Sequence, residues 1–336
     1  MSFPLFDPRI LRPLVDYLED NGADGQWYLD RARIPGGMIE SGGWIAKKQA
    51  YDLVDDVIDR EHDRSAVFAA YLDFQLGDLG PIAVAMRSCV TVKEAIEVAA
   101  RLGSVAFEGN QYFLEIGSDT TWLSYRESKV ISSGQRFIND MTLTVYYHLI
   151  RLTVDESWRP QQIRSHEQKT DRHLGVELFE DCKASFHRSS TGIGFPTEFL
   201  SRCTPWQKSL SEFNESDAWD LRADQDGDAV DSIYRLIASR LLYRTPPTLQ
   251  AAATLVGVSP ATLKRQLASS GISYRHLLDR VRYQAACEML SCSHLTVYEI
   301  AGELGYSGTN NFGRSFRRLA GMTPGEFRRQ KLSEVG

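Results

Sequence analysis

A short pattern that occurs twice in the last quarter of the chain constrains the fold more than any other feature of the sequence. The second copy follows the first at a fixed distance of 48 positions. Seven residues of the first copy, Leu249, Ala252, Ala253, Val256, Gly257, Val258 and Ser259, match Val297, Ile300, Ala301, Leu304, Gly305, Tyr306 and Ser307. One extra residue near Asn311 and another near Ala320 extend the match to Phe327. Such self-similarity indicates a duplicated supersecondary unit.

Each copy predicts a helix, a tight turn and a second helix. In the first copy, apolar residues recur at the three- and four-residue spacing of one helix face, and Gly257 supplies the positive φ that ends a helix. Ser259 then caps the next helix, and Pro260 fits its first position. The second copy predicts the same layout with Ser307 as the cap. A helix-turn-helix unit places its second helix in the major groove of DNA.

The outward residues of the two second helices are the candidate DNA contacts. Arg265 and Arg314 occupy the same outward position in the two copies. Because an arginine binds a guanine with two hydrogen bonds, we predict that both contact bases. The further candidates for base edges are Ala261, Thr262, Lys264, Asn310 and Asn311. The candidates for phosphate contact are Ser259, Ser307, Arg317 and Arg318. The alternative interpretation is an ordinary solvated surface.

The segment from Tyr274 to Leu290 joins the two copies and carries apolar residues on one side. It predicts a rigid helix of roughly 25 Å, at about 1.5 Å per residue. That length suits two recognition helices set one DNA turn, about 34 Å, apart on the same face.

Charge is distributed unevenly along the chain. The formal net charge is -6, yet residues 245 to 331 hold eleven Lys and Arg against five Asp and Glu, a net +6, which leaves -12 for the rest. A basic region is attracted to phosphate and an acidic region is repelled by it. The C-terminal part is therefore the part expected to bind nucleic acid.

Residues 229 to 331 resemble the DNA-binding domain of the AraC/XylS family of transcription regulators, which carries two helix-turn-helix units in tandem. The resemblance rests on three runs, from Ile300 to Ser307, from Asn311 to Arg318 and from Gly321 to Arg328. It implies a sequence-specific DNA-binding regulator, in family habit an activator that responds to a small metabolite. The partners that it implies are double-stranded promoter DNA, RNA polymerase and a second copy of the chain.

The N-terminal part predicts an α+β fold. Helices are predicted from Pro13 to Asp20, Ala46 to Arg60, Ile82 to Cys89, Val92 to Leu102 with Thr91 as cap, and Gln135 to Leu152. Tyr112 to Ile116 and Thr121 to Tyr125 predict a hairpin, and further strands are predicted from Ile163 to His166 and from Ala184 to His187. The order of these pieces, with Gly77 to Gly80 and Ile193 to Pro196, resembles the arabinose-binding-type effector and dimerisation domain of ornithine-utilisation-type regulators.

We therefore expect an α+β effector-binding and dimerisation domain over residues 1–210 and an acidic linker over 211–228. An all-α DNA-binding domain follows over 229–336, with its helix-turn-helix units at about 248–270 and 296–320. The polar and aromatic residues predicted to contact an effector are Trp122, Tyr125, Arg126, Phe137, Tyr146 and His148. Core packing is the alternative role for each of them. An amino acid or a related metabolite is one effector class that the resemblance suggests.

Catalytic and metal-binding patterns are weak in this sequence. Asp224 to Asp228 is similar to the start of a calcium loop, but the twelfth position is Arg235 where a glutamate is required. The five cysteines form no Cys-x-x-Cys pair and no apolar run is long enough to cross a membrane, so we expect a cytoplasmic protein without cofactor, metal or enzymatic activity. Two alternatives stay open: an N-terminal domain that only dimerises or binds a protein partner, and an enzyme fused to a DNA-binding domain.

Overall fold

The computed structural model describes residues 2–61, 66–127, 135–154, 157–166, 179, 182–186, 188–206 and 228–335. The chain divides into two compact units. The N-terminal unit comprises Pro4–Gly42 and Lys47–Gln225, and the C-terminal unit comprises Asp226–Gly336 together with Met1–Phe3 and Gly43–Ala46. Of the predicted acidic linker, residues 211–227 lie outside the described residues.

The N-terminal unit combines helices with a mixed sheet. Its helices are α1 (Arg12–Asp20), α2 (Gly25–Arg31), α3 (Met38–Ser41), α4 (Lys47–Glu61), α5 (Ala66–Ala70), α6 (Pro81–Arg87), α7 (Val92–Ala106) and α8 (Gln135–Val154). Short 3₁₀ helices span Pro8–Leu11, Leu76–Leu79 and Thr197–Ser201. As predicted, Thr91 caps α7: its side chain accepts a hydrogen bond from the amide of Glu94. The expected α+β fold is confirmed.

Two short strands, β1 (Leu5–Phe6) and β2 (Ile45–Ala46), lie apart from a five-stranded sheet in the N-terminal unit. The strands of that sheet are β3 (Asn110–Ile116), β4 (Thr120–Glu127), β5 (Gln162–Arg164), β6 (Lys183–Ser185) and β7 (Thr191–Pro196). Their order across the sheet is β3-β4-β7-β5-β6. β3 and β4 form the predicted antiparallel hairpin. β7 pairs antiparallel with both β4 and β5 and so occupies the centre of the sheet.

The central strand β7 was not predicted, because two of its six residues are glycines and glycine is unfavourable in strands. The structure gives the reason for Gly192. A Cβ atom there would lie 2.6 Å from the carbonyl oxygen of Leu123 and would also meet Ser124 on the paired strand. The glycine therefore permits a close approach of the two backbones.

The C-terminal unit is all-helical apart from β2. It consists of α9 (Ala229–Leu242), α10 (Leu249–Leu255), α11 (Pro260–Ser269), α12 (Tyr274–Cys292), α13 (Val297–Glu303), α14 (Thr309–Ala320) and α15 (Pro324–Val335). The long helix α12 packs against α9, α13, α14 and α15, with Leu277, Val281, Ala286 and Leu290 buried. The N-terminal segments join this unit through α9: the amide of Phe3 donates to Ser232 Oγ (3.2 Å) and that of Trp44 to Ser239 Oγ (2.8 Å).

Both predicted helix-turn-helix units are present. Gly257 and Gly305 end the first helices with φ of 74° and 69°. The predicted cap of α11 is confirmed, since Ser259 accepts a hydrogen bond from the amide of Thr262. The predicted cap of α14 is wrong: Gly308 occupies the capping position and makes no side-chain bond. The extra residue of the second copy lies here, one position after Ser307, and moves that serine out of the cap.

Within the described ranges, no helix combines the length and the apolar character that crossing a membrane requires.

Candidate nucleic-acid interface and cavity

Helix α11 has a buried apolar face and an exposed, largely polar face. Leu263 and Leu267 are fully buried and fix the rotation of the helix about its axis. Ala261, Lys264 and Arg265 are consequently exposed, and Thr262 is half-buried. The capping residue Ser259 is itself exposed and lies 2.9 Å from the Thr262 hydroxyl, oxygen to oxygen. All five predicted contact residues of this helix are therefore accessible, Thr262 in part.

Helix α14 repeats this arrangement with larger buried side chains. Phe312 and Phe316 are buried with their ring centroids 5.8 Å apart. The predicted contact residues of the second unit are all exposed: Asn310, Asn311, Arg314, Arg317, Arg318 and Ser307.

Arg314 is held by a short chain of hydrogen bonds that the sequence did not indicate. Its Nη2 donates to Asn311 Oδ1 (2.7 Å), and Asn311 Nδ2 donates to Ser307 Oγ (2.8 Å). The contact orients the guanidinium group before any ligand arrives. Preorganisation of this kind reduces the entropic cost of binding.

Two residues of α12 fix the second unit to the joining helix, and sequence reasoning missed both. Asp279 forms an ion pair with the exposed Arg318 of α14. Arg282 donates from Nη2 to the carbonyl oxygen of Gly305 (3.1 Å), and its guanidinium group lies 4.6 Å from the ring centre of Tyr306. Arg318, a predicted phosphate contact, therefore also has a structural partner. Only the three-dimensional packing of α12 brings these pairs together.

A cavity lies in the N-terminal unit among α6, α7, α8, β3 and β4. It encloses about 620 Å³ of empty space, a figure that includes the open solvent at its mouth. Its walls are largely apolar and include Ile82, Phe107, Leu123, Ile138, Met141 and Leu149. None of the described residues that line it carries a charge.

Four lining residues carry polar side-chain groups: Asn110, Tyr112, Thr142 and Tyr146. Asn110 Oδ1 accepts from Lys47 Nζ (2.6 Å), and its Nδ2 donates to the hydroxyl of Tyr112 (3.0 Å). Thr142 donates to the carbonyl oxygen of Ile138 (2.8 Å). The hydroxyl of Tyr146 is buried, and among the described residues no group bonds to it.

A buried ion pair lies beyond Asn110. Lys47 Nζ and Glu127 Oε1 are 2.6 Å apart, with side chains 2% and 3% exposed. The hydroxyl of Tyr51 donates to the same carboxylate (2.8 Å). Burial lowers the pKa of Lys47, and Glu127 opposes that effect. Lys47, which contacts the cavity residue Asn110, is therefore already paired with a carboxylate.

The predicted effector contacts are dispersed in the structure. Tyr146 lines the cavity, and Tyr125 stacks on the cavity residue Tyr112 with ring centroids 5.8 Å apart. The others of known position lie elsewhere: Trp122 packs under the guanidinium group of Arg164, Arg126 donates to the carbonyl oxygen of Ser189, and His148 packs against Tyr147. The side chain of Phe137 lies outside the described residues.

Sequence reasoning missed three of the four polar cavity residues: Thr142 on α8, and Asn110 and Tyr112 on β3. Asn110 follows Gly109, whose φ is 79°, and Gly-Asn is typical of a turn. Tyr112 was assigned to a strand, but nothing in the local sequence distinguished its inward side. A signal for either would have required knowledge that β3 faces α7 and α8.

Two family models match the chain. Residues 252–330 match a helix-turn-helix domain. Residues 22–203 match the N-terminal arabinose-binding domain of AraC transcription regulators.

The chain is similar in sequence to proteins that are named as regulators. The ornithine utilization regulator of Pseudomonas aeruginosa is 26% identical over 259 residues, 74% of this chain and 74% of that protein. The HTH-type transcriptional regulator VqsM of the same species is 37% identical over 82 residues, 24% of this chain and 25% of that protein. The crystal structure of the transcriptional regulator CdpR, also from P. aeruginosa, is 20% identical with a TM-score of 0.43, covering 95% of this chain and 97% of that one.

The arabinose-binding match alone spans more than half of the chain, and the helix-turn-helix match contains both exposed helices α11 and α14. The chain is thus a DNA-binding transcription regulator, and it belongs to the AraC family whose members carry an arabinose-binding-type N-terminal domain.

Proposed function

We propose that this regulator activates transcription when a small molecule occupies the cavity of its N-terminal unit. The observation that carries the proposal is the cavity itself, in which a buried tyrosine hydroxyl has no partner among the described residues. A ligand that binds one arrangement of a regulator better than another shifts its population toward that arrangement. Activation, rather than repression, is taken from the habit of the family.

Sequence reading is proposed to depend on Arg265 and Arg314. Both are exposed on the second helix of a helix-turn-helix unit, and a bidentate arginine-guanine contact contributes about 1–3 kcal/mol of discrimination. Further base contacts are proposed for the neighbouring residues Ala261, Thr262, Lys264, Asn310 and Asn311. Ser259, Ser307, Arg317 and Arg318 are proposed to hold phosphates, which position the protein without reading sequence.

The remaining parts of the proposal follow from this role. The chain is proposed to act as a homodimer that contacts RNA polymerase at promoters, in the cytoplasm where bacterial DNA lies, and without catalytic activity. The weakness of every catalytic pattern in the sequence supports the last point. The proposed effector domain is residues 1–210, and the proposed DNA-binding domain is residues 229–336.

The experiment begins with selection of genomic fragments that the purified full-length protein retains. Fluorescence anisotropy then compares the affinity for a selected fragment with that for a scrambled one. We expect Arg265→Ala and Arg314→Ala each to weaken binding to the selected fragment roughly 5- to 150-fold. Binding to the scrambled fragment should change much less.

The matched control is Arg12→Ala, which removes an exposed arginine of the N-terminal unit and is expected to leave both affinities unchanged. An equal loss on selected and scrambled DNA would show that the two recognition-helix arginines touch phosphate alone.

A further inference from the structure

We infer that the cavity binds a small, uncharged and largely apolar molecule with one hydrogen-bonding oxygen, which the Tyr146 hydroxyl recognises. The inference rests on the proposed function only in treating this molecule as the effector. Binding itself is measurable without DNA.

The walls of the cavity disfavour charged ligands. No described lining residue is charged, and burial of an unpaired ammonium or carboxylate group carries a large desolvation penalty. A free amino acid such as ornithine would bring both kinds of charge. Lys47 is not available to pair with a ligand carboxylate, because it already contacts Glu127 (2.6 Å) and Asn110 (2.6 Å) and its side chain is 2% exposed.

The polar groups of the cavity also disfavour a sugar. A monosaccharide has several hydroxyl groups, and each loses its bonds to water when it is buried without a partner. Thr142 is engaged by Ile138, and Asn110 is engaged by Lys47 and Tyr112. A ligand therefore finds little polar surface apart from the tyrosine hydroxyls.

Among the described residues that line the cavity, Tyr146 is the one with a buried side-chain polar atom that has no hydrogen-bond partner. Its side chain is 5% exposed, and its hydroxyl has no partner there. Burial raises the pKa of Tyr146 well above its usual value, so the phenol stays neutral and keeps a hydrogen to donate. An unpaired buried hydroxyl is destabilising, and a ligand oxygen that accepts its hydrogen would remove that cost.

The test uses the full-length protein and N-phenyl-1-naphthylamine, an uncharged apolar fluorophore. We expect it to bind with an increase in fluorescence and to be displaced by 1-octanol. Octanoate should displace it at least tenfold less effectively, because the carboxylate must lose its water. L-ornithine and L-arabinose should not displace it.

Two variants separate the proposed contact from general packing. Tyr146→Phe should weaken 1-octanol binding roughly tenfold, the effect of one hydrogen bond of about 1.4 kcal/mol, and leave the affinity for the fluorophore unchanged. Tyr147→Phe is the matched control. Tyr147 is the next residue of α8 and is buried, its hydroxyl also has no partner among the described residues, and it is not among the lining residues. The Tyr147→Phe variant should bind both 1-octanol and the fluorophore as the wild type does.

Ala100 lines the cavity and is 6% exposed, so Ala100→Leu should reduce binding of fluorophore and alcohol together. A thermal melt of each variant checks that it is folded, and Tyr146→Phe keeps the test decisive because it only removes an unpaired group.

Absence of fluorophore binding to the wild type would overturn the inference, as would displacement by L-ornithine or L-arabinose at concentrations where 1-octanol fails. An equal effect of Tyr146→Phe and Tyr147→Phe would overturn the role of Tyr146. If 1-octanol binds as expected without changing affinity for the selected DNA, the ligand class stands and the effector role in the proposed function fails.

Discussion

His148 shows how one buried residue couples the N-terminal unit to pH. It lies on α8, is 4% exposed, and packs against Phe74 and Tyr147 with ring centroids 6.1 and 4.8 Å away. Burial lowers its pKa to about 4, and the positive charge of Arg151 acts in the same direction. The folded protein therefore holds this histidine neutral where the unfolded chain protonates it.

We expect His148 to make the protein less stable at mildly acid pH. Its pKa is about 4 when folded and 6.5 when unfolded, so between these values the unfolded state binds more protons. Its effect is absent above about pH 7.5 and grows as pH falls toward 4. The loss between pH 7 and pH 5 is about 2 kcal/mol.

Urea denaturation at pH 7 and pH 5 measures this effect. His148→Gln should show a smaller loss on acidification than the wild type, and the control His276→Gln, at an exposed position of α12, should lose as much as the wild type. An unchanged pH dependence in His148→Gln would mean that this histidine is protonated in the folded protein.

At the scale of the element, the two serines before α11 and α14 provide a matched comparison. Ser259 caps α11 through the amide of Thr262 (3.1 Å), whereas Gly308 occupies the corresponding position at α14. Ser259→Ala should therefore reduce the free energy of unfolding by about 1 kcal/mol. Ser307→Ala removes only an exposed contact with Asn311 and should cost much less. Equal losses in urea denaturation would contradict this assignment of the caps.

The central strand β7 leads to a second prediction about an element. In Gly192→Ala the added Cβ would lie 2.6 Å from the carbonyl oxygen of Leu123 on β4, so the strands must separate. We expect a loss of about 1–3 kcal/mol in the free energy of unfolding. Gly302→Ala is the control, since no atom lies within 4 Å of its Cβ position in α13. It should stabilise the helix by roughly 0.5–1 kcal/mol, and a neutral Gly192→Ala would refute the close approach.

These elements also show what the sequence can and cannot predict. The helix-turn-helix units, the cap at Thr91 and the β3-β4 hairpin follow from local patterns, because spacing, capping and turn residues act over a few positions. β7 and the cap at Gly308 were missed or misplaced because their reasons are a close backbone approach and a one-residue insertion. The cavity was mostly missed because it joins residues of α8 to residues of β3, and no local pattern records that contact.

At the scale of the whole molecule, the two parts of the chain differ in net charge and in the kind of surface that they present. The region from residue 245 to 331 carries a net charge of +6 and contains the exposed helices α11 and α14. The rest of the chain carries -12 and contains the apolar cavity. In the proposed function, coupling between them requires that the ligand and the DNA favour the same arrangement, and linkage makes that effect reciprocal.

We propose that helix α12 sets the geometry in which the two helix-turn-helix units read DNA. Its 19 residues give a length of about 28 Å, and Asp279 and Arg282 tie it to the second helix-turn-helix unit. A stiff joining helix of this length fits two recognition helices in successive major grooves, about 34 Å apart. The two helix-turn-helix units should then read separate halves of one DNA site.

Hydroxyl-radical footprinting on a selected genomic fragment tests this claim most directly. We expect two protected stretches on one face of the DNA, centred about 10 base pairs apart. Arg265→Ala should weaken protection mainly in one stretch and Arg314→Ala mainly in the other. A single protected turn, or two variants that protect the DNA as the wild type does, would show that the two helix-turn-helix units do not read successive major grooves.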